Sequence, residues 1–168
     1  MPEAWLRGPI EGVDAFLQPA AHALVQARED VDRATVGISP EHLWLQPNGA
    51  ASLGFHLRHV AGSLDRLLTY ARGSQLDERQ HAALKRETDP GTPPDELSTL
   101  IEQAKTAIDT ALAQLRSTRR EELLQPRAVG RAGLPSTVLG LLFHAAEHTT
   151  RHVGQAITTA RIVAADIG

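Results

Sequence analysis

Apolar residues recur at helical intervals in four stretches of the chain. Over 19–34, Ala20, Leu24, Ala27 and Val31 fall on one side with charge on the other, which predicts a first helix. Gly37-Ile38-Ser39-Pro40-Glu41 stops it; Ser39 is a cap candidate and Pro40 suits a first helical position before a short turn through Trp44. After the break at Pro47-Asn48-Gly49, Leu53, Leu57, Val60, Leu64, Leu67, Leu68 and Ala71 mark a second helix over about 50–72, ended by Gly73-Ser74. The polar stretch 75–91 accommodates a short helix over 78–85 before a turn at Asp89-Pro90-Gly91. Thr92-Pro93-Pro94-Asp95-Glu96 reads as a cap with prolines in the first turn and acids favoured by the helix dipole. A third long helix follows, with Leu97, Ile101, Ala104, Ile108, Leu112 and Leu115 as its stripe. Residues 126–135 read as a Gly/Pro-punctuated loop, and 136 to about 164 as a fourth helix with Leu139, Leu142, Ala146, Val153, Ile157 and Ala160 inward. Gly154 in that helix is expected to let a neighbouring helix approach.

Four amphipathic helices without a strand alternation or an internal repeat predict an all-α four-helix bundle, with short extra helices in the connections and one domain over 1–168. Composition agrees. Aromatics make up only 4% of the chain, so the core must be Leu, Ala, Val and Ile, the mix of packed helices. Seventeen Lys and Arg against twenty Asp and Glu leave a net charge of -3, which supplies no basic excess for a phosphate backbone and argues against nucleic acid as a partner. No apolar run reaches the roughly 18 residues of a membrane span, and the first residues lack the pattern of a secretory signal, so the expected location is the cytoplasm. Cysteine is absent, which excludes disulfides, thiolate ligands and a sulfur nucleophile on the protein. Any thiol chemistry must use an external thiol.

The eight histidines change the picture. His56 and His59 fall on the second helix, His144, His148 and His152 on the fourth, and His22 on the first, with His42 and His81 in connections. Side chains four apart on a helix differ by roughly 40° and about 6 Å of rise, so two imidazoles at that spacing can converge on one ion. His144 and His152, roughly 12 Å apart along the axis, cannot share one. The pair is therefore 144/148 or 148/152. His148 and His152 sit on a shoulder of their helix; His59 matches a cleft rim and His56 lies nearer the packed face, and geometry alone leaves that choice open. Two ligands from one helix and one from another give three neutral imidazoles with an open position, as in catalytic zinc sites. His22, His42 and His81 read as exposed polar residues. His144 reads equally as a partner behind a ligand or as helix surface.

The string His144-Ala-Ala-Glu147-His148-Thr-Thr-Arg-His152-Val-Gly154-Gln155 resembles the carboxy-terminal signature of the DinB/YfiT-like family: His, three residues, His, any residue, Gly-Gln. Phe55-His56-Leu57-Arg58-His59-Val60-Ala61 is similar to that family's first metal motif, in which an apolar and then a small residue follow the ligand, and this favours His59 over His56. The resemblance implies a four-helix bundle, often a homodimer, with a divalent ion, zinc or nickel, held by His59, His148 and His152. It also implies a thiol transferase that joins a low-molecular-weight thiol to an electrophilic substrate, or a related hydrolase. The other class of function is a non-catalytic bundle that binds a ligand or partner around a structural or vestigial metal. Arg127 and Arg131, entering the fourth helix, are candidates to hold a carboxylate of the thiol or substrate. Glu147 and Gln155 are candidates to orient a ligand imidazole.

Overall fold

The computed structural model describes residues 1–165. The four long helices are α1 (Gln18–Thr35), α2 (Leu53–Ala71), α4 (Leu97–Ser117) and α5 (Val138–Ala165), and a short α3 (Glu78–Lys85) lies between α2 and α4. Helix α1 packs on α4 and α5, and α2 packs on the same two. Helices α1 and α2 therefore sit diagonally, as do α4 and α5, and α2 and α5, far apart in sequence, are side by side. The predicted stripes meet in the middle: Leu24, Val31, Leu57, Leu64, Leu100, Ile108, Leu115 and Leu142 are fully buried. Each such leucine contributes on the order of 1.5–3 kcal/mol by leaving water. Leu67, Leu97, Ile101, Leu139 and Ile157 only half-bury at the edges of the core. No helix among the described residues is long and apolar enough to cross a membrane.

Local chemistry sets the helix ends. Ser52 caps α2, its hydroxyl accepting from the Phe55 N–H at 3.1 Å. Asp77 and Gln80 form a reciprocal capping box on α3. Thr137 accepts from the Gly140 N–H at 3.0 Å and opens α5. Ser39 precedes a 3-10 turn over Pro40–His42 as expected, but its hydroxyl bonds the His42 ring rather than the turn's backbone.

Three expectations need correction. Helix α4 starts at Leu97 with Glu96 as its cap residue, so Pro93 and Pro94 lie before it and not in its first turn. Asp95 turns instead to Arg58, 2.6 Å away on α2; a charge-assisted hydrogen bond outcompetes the 0.3–1 kcal/mol or so of a helix dipole. The loop 126–135 contains the start of a β-hairpin, β1 (Pro126–Val129) with β2 (Leu134–Thr137), in which Pro126 faces Thr137 and Val129 faces Leu134. Gly130 and Gly133, at φ +68° and +62°, make its turn. Strands of four residues, each carrying a proline, show no alternation by which to recognise them. Gly154 is exposed and a Cβ there would meet nothing within 4 Å, so among the described residues no helix approaches it.

Candidate metal centre

The α2–α5 seam brings the histidines of the second and fourth predicted helices together. One turn inside the start of α2, His56 is buried at 4% exposure, whereas His59, three residues on, is half-buried and faces His148 and His152 of α5. His59, His148 and His152 each offer a ring nitrogen, all within 4.8 Å of one another. Their ring centroids lie 4.3–5.1 Å apart. Phe55 stacks nearly parallel to His59 at 5.2 Å and fixes the plane of that ring.

Hydrogen bonds behind the rings set which nitrogen each presents. The Glu87 carboxylate lies 2.7 Å from His59 Nδ1. Because a carboxylate only accepts, His59 carries a proton on Nδ1, and in the neutral ring its Nε2 has a lone pair. That Nε2 lies 2.9 Å from Nε2 of His148. If His148 donates across this contact, its Nδ1 becomes an acceptor, and that atom is buried without a partner. If neither ring donates, two lone pairs face each other. A cation between the two nitrogens removes the conflict, and 2.9 Å is near the ~3.3 Å edge of a tetrahedron with 2.0–2.1 Å zinc–imidazole bonds. The residues present fit a metal. His56 Nδ1 lies 3.1 Å from His152 Nδ1, behind that ring as Glu87 is behind His59.

Burial and neighbouring charge favour the neutral form of His56, His148 and His152. Burial, then the neighbouring His59, pushes His56 down to about 4. Burial, then His59 and His148, does the same to His152, also to about 4. His148 is lowered by burial and by His59 and His144. Neutral imidazoles are the form that donates to a metal. Burial alone would raise Glu87, but hydrogen bonds from His59 and Arg66 and the Arg66 charge outweigh it and hold the carboxyl below its ordinary range.

Glu87 and Arg66 carry no signal in sequence, since Glu87 falls in the polar stretch 75–91 and in no periodic pattern. Arg66 donates to Glu87 at 2.6 Å. Arg58 draws the whole segment onto α2 by donating to the Arg86 carbonyl at 2.8 Å and to Asp95. Gly62 makes the room: a Cβ there would stand 2.6 Å from the Glu87 carboxylate. A glycine inside an otherwise leucine-rich helix was the one available clue. On the far side of Glu87 a pocket of about 860 Å³ opens between α2, α3 and α4, lined by four arginines and four acids among others.

The other candidates are placed as follows. His144 sits one turn before His148 and Glu147 immediately before it, the two 3.2 Å apart, with Arg151 also on Glu147. Gln155 is exposed beyond the cluster. Arg127 donates to the Ala71 carbonyl at 2.7 Å, at the other end of α2, about 18 Å along the axis from His59, and Arg131 is exposed in the hairpin turn. The structure brings neither arginine to the histidines. His22 and His42 bond locally, His22 to the Gly8 carbonyl and His42 to Ser39, and His81 is half-buried on α3.

The family model of the DinB superfamily matches residues 23–156, a span that includes every histidine of the cluster. The chain belongs to the DinB superfamily. Among solved structures, this DinB-superfamily chain is similar to YfiT from Bacillus subtilis, described as a probable metal-dependent hydrolase with an unusual four-helix bundle topology. The match has a TM-score of 0.65 at 14% identity over 92% of this chain and 91% of that one, and shows a shared fold. No curated protein sequence matches the chain.

Proposed function

We propose that the protein is a metal-dependent enzyme that activates a small nucleophile at a divalent ion held by His59, His148 and His152, and that the nucleophile is a low-molecular-weight thiol. The observation that carries this reading is the convergence of three imidazole ring nitrogens from two helices within 4.8 Å, with the Nε2 atoms of His59 and His148 facing each other at 2.9 Å. Three protein ligands leave further positions for an exogenous group, the pattern of catalytic rather than structural sites. When bound, zinc or nickel would supply an electrophilic centre that lowers the pKa of a thiol or of water. Glu87 holds His59 with its Nε2 turned to the site, and His56 contacts Nδ1 of His152 from behind. Phe55 keeps water from one face of His59. The description of YfiT as a probable metal-dependent hydrolase supports metal dependence in this chain as well.

In thiol transfer the external thiol gives its sulfur to an electrophilic carbon, the carbon–leaving-group bond breaks, and the thiol proton passes to solvent. The chain has no cysteine with which to form a competing adduct. The test incubates zinc- or nickel-loaded protein with bacillithiol, mycothiol or glutathione and an aryl chloride, and follows the conjugate. Conjugation that stops on chelation and returns with metal supports the reading. Metal-dependent ester cleavage without thiol moves it to hydrolysis, and no metal-dependent turnover of either kind leaves a ligand-binding bundle.

A further inference from the structure

The histidine of α5 that lacks a partner behind it points to a second position. His59 has Glu87 behind it and His152 has His56, but Nδ1 of His148 is buried with no hydrogen bond. The Glu147 carboxylate oxygen Oε2 is a second buried atom without a hydrogen bond. Buried polar atoms are ordinarily hydrogen-bonded, and two that are not, in adjacent residues, call for a common explanation. Positions 144, 147 and 148 stand at i, i+3 and i+4, so all three share one face of α5. His144 Nδ1 lies 3.2 Å from Glu147 Oε2. His144, Glu147 and His148 each offer one donor atom, all within 4.8 Å of one another.

We propose that His144, Glu147 and His148 hold a second divalent cation, with His148 spanning the two positions through its two ring nitrogens. This rests on the three-histidine reading for the first position. Two imidazole nitrogens and one carboxylate oxygen select a borderline cation such as zinc, copper or nickel over calcium or magnesium. His148 can donate from both nitrogens only by losing its N–H proton, which passes to solvent as the second ion binds. His144 is about half-exposed, so water completes the coordination on the open side. Arg151, paired with the other oxygen of Glu147, fixes the carboxylate in place and at the same time opposes a cation there. The second position is therefore the weaker of the two.

The test counts zinc per chain by elemental analysis after equilibrium dialysis of the untagged, chelator-stripped full chain. The wild type should hold two ions, the second at least tenfold more weakly. His144→Ala and Glu147→Gln should each hold one, His59→Ala one, and His148→Ala none; circular dichroism checks that each is folded. A chain with His22→Ala, His42→Ala and His81→Ala together should keep both. Saturation of the wild type at one ion overturns the second site, as does a second ion that survives His144→Ala or leaves with the three outlying histidines. Two ions retained in His59→Ala refute the three-histidine site instead, while the count in His144→Ala still decides this one.

Discussion

Glu87→Gln changes one charge and almost no volume at the point where the histidine site meets the rest of the protein. In the wild type the buried carboxylate accepts from His59 Nδ1 at 2.7 Å and from Arg66 at 2.6 Å. A glutamine offers one acceptor oxygen. Arg66, always charged, claims it, which turns the amide NH2 toward His59. His59 Nδ1 must then accept, its proton moves to Nε2, and the nitrogen that faces His148 loses its lone pair. A hydrogen bond to a charged group is worth about 1.5–3 kcal/mol, and relief of the carboxylate's desolvation offsets part of the loss, so we expect the metal-free variant to be about 2 kcal/mol less stable at pH 7. Zinc affinity should fall about 10- to 100-fold, the usual effect of losing such a supporting group. The folded-state pKa of Glu87 lies below its ordinary 4.5, so its stabilisation is fully present above that value and is lost as pH falls through the folded pKa. Urea unfolding of both stripped chains should therefore show a gap that is complete at pH 7 and closes in acid, and competition with a zinc indicator gives the affinity. Zinc affinity within threefold of wild type would reduce Glu87 to a packing contact, and a stability gap that widens in acid would refute the charge assignment.

Other perturbations test neighbouring steps. His148→Ala should remove the bound ion while leaving a helical bundle by circular dichroism, and His59→Ala should lower zinc affinity far more than His56→Ala, which acts only through His152. The metal-free protein should lose stability as pH falls from about 6.5 toward 4, because His56 and His152, held near 4 when folded, take up protons more readily when unfolded; thermal melts across that window check it. Gly54→Ala should destabilise by about 1–3 kcal/mol despite its better helix propensity, since the new Cβ would stand 2.8 Å from the Trp44 indole; chemical denaturation reads this directly. Chelation should leave the far-ultraviolet spectrum unchanged, since the buried stripes of α1, α2, α4 and α5 hold the bundle without the ion.

The bundle was legible because stripes such as Leu53, Leu57, Val60 and Leu64, or Leu97, Ile101, Ala104 and Ile108, fall at spacings that only a helix turns to one side. For the same reason spacing paired His148 with either His144 or His152, and only the resemblance chose His152. What sequence could not show depends on contacts between segments. The Asp95–Arg58 pair overrode a helix-start pattern, the hairpin carries its proof in pairing between strands four residues long, and Arg127 lies near the fourth helix in sequence yet is tied to the last turn of α2 in space. Glu87 reaches His59 from a connection with no periodicity, and only the unexplained Gly62 marked the place.

The carboxylate that sets the tautomer of His59 belongs to the connection between α3 and α4, outside the four long helices. The donor strength of the site is thus governed by a short surface segment, held down by Arg58 and Arg66, whose replacement would leave every buried leucine untouched. Exchanging that connection offers a way to retune the chemistry of the centre while the scaffold that gathers its ligands is kept whole.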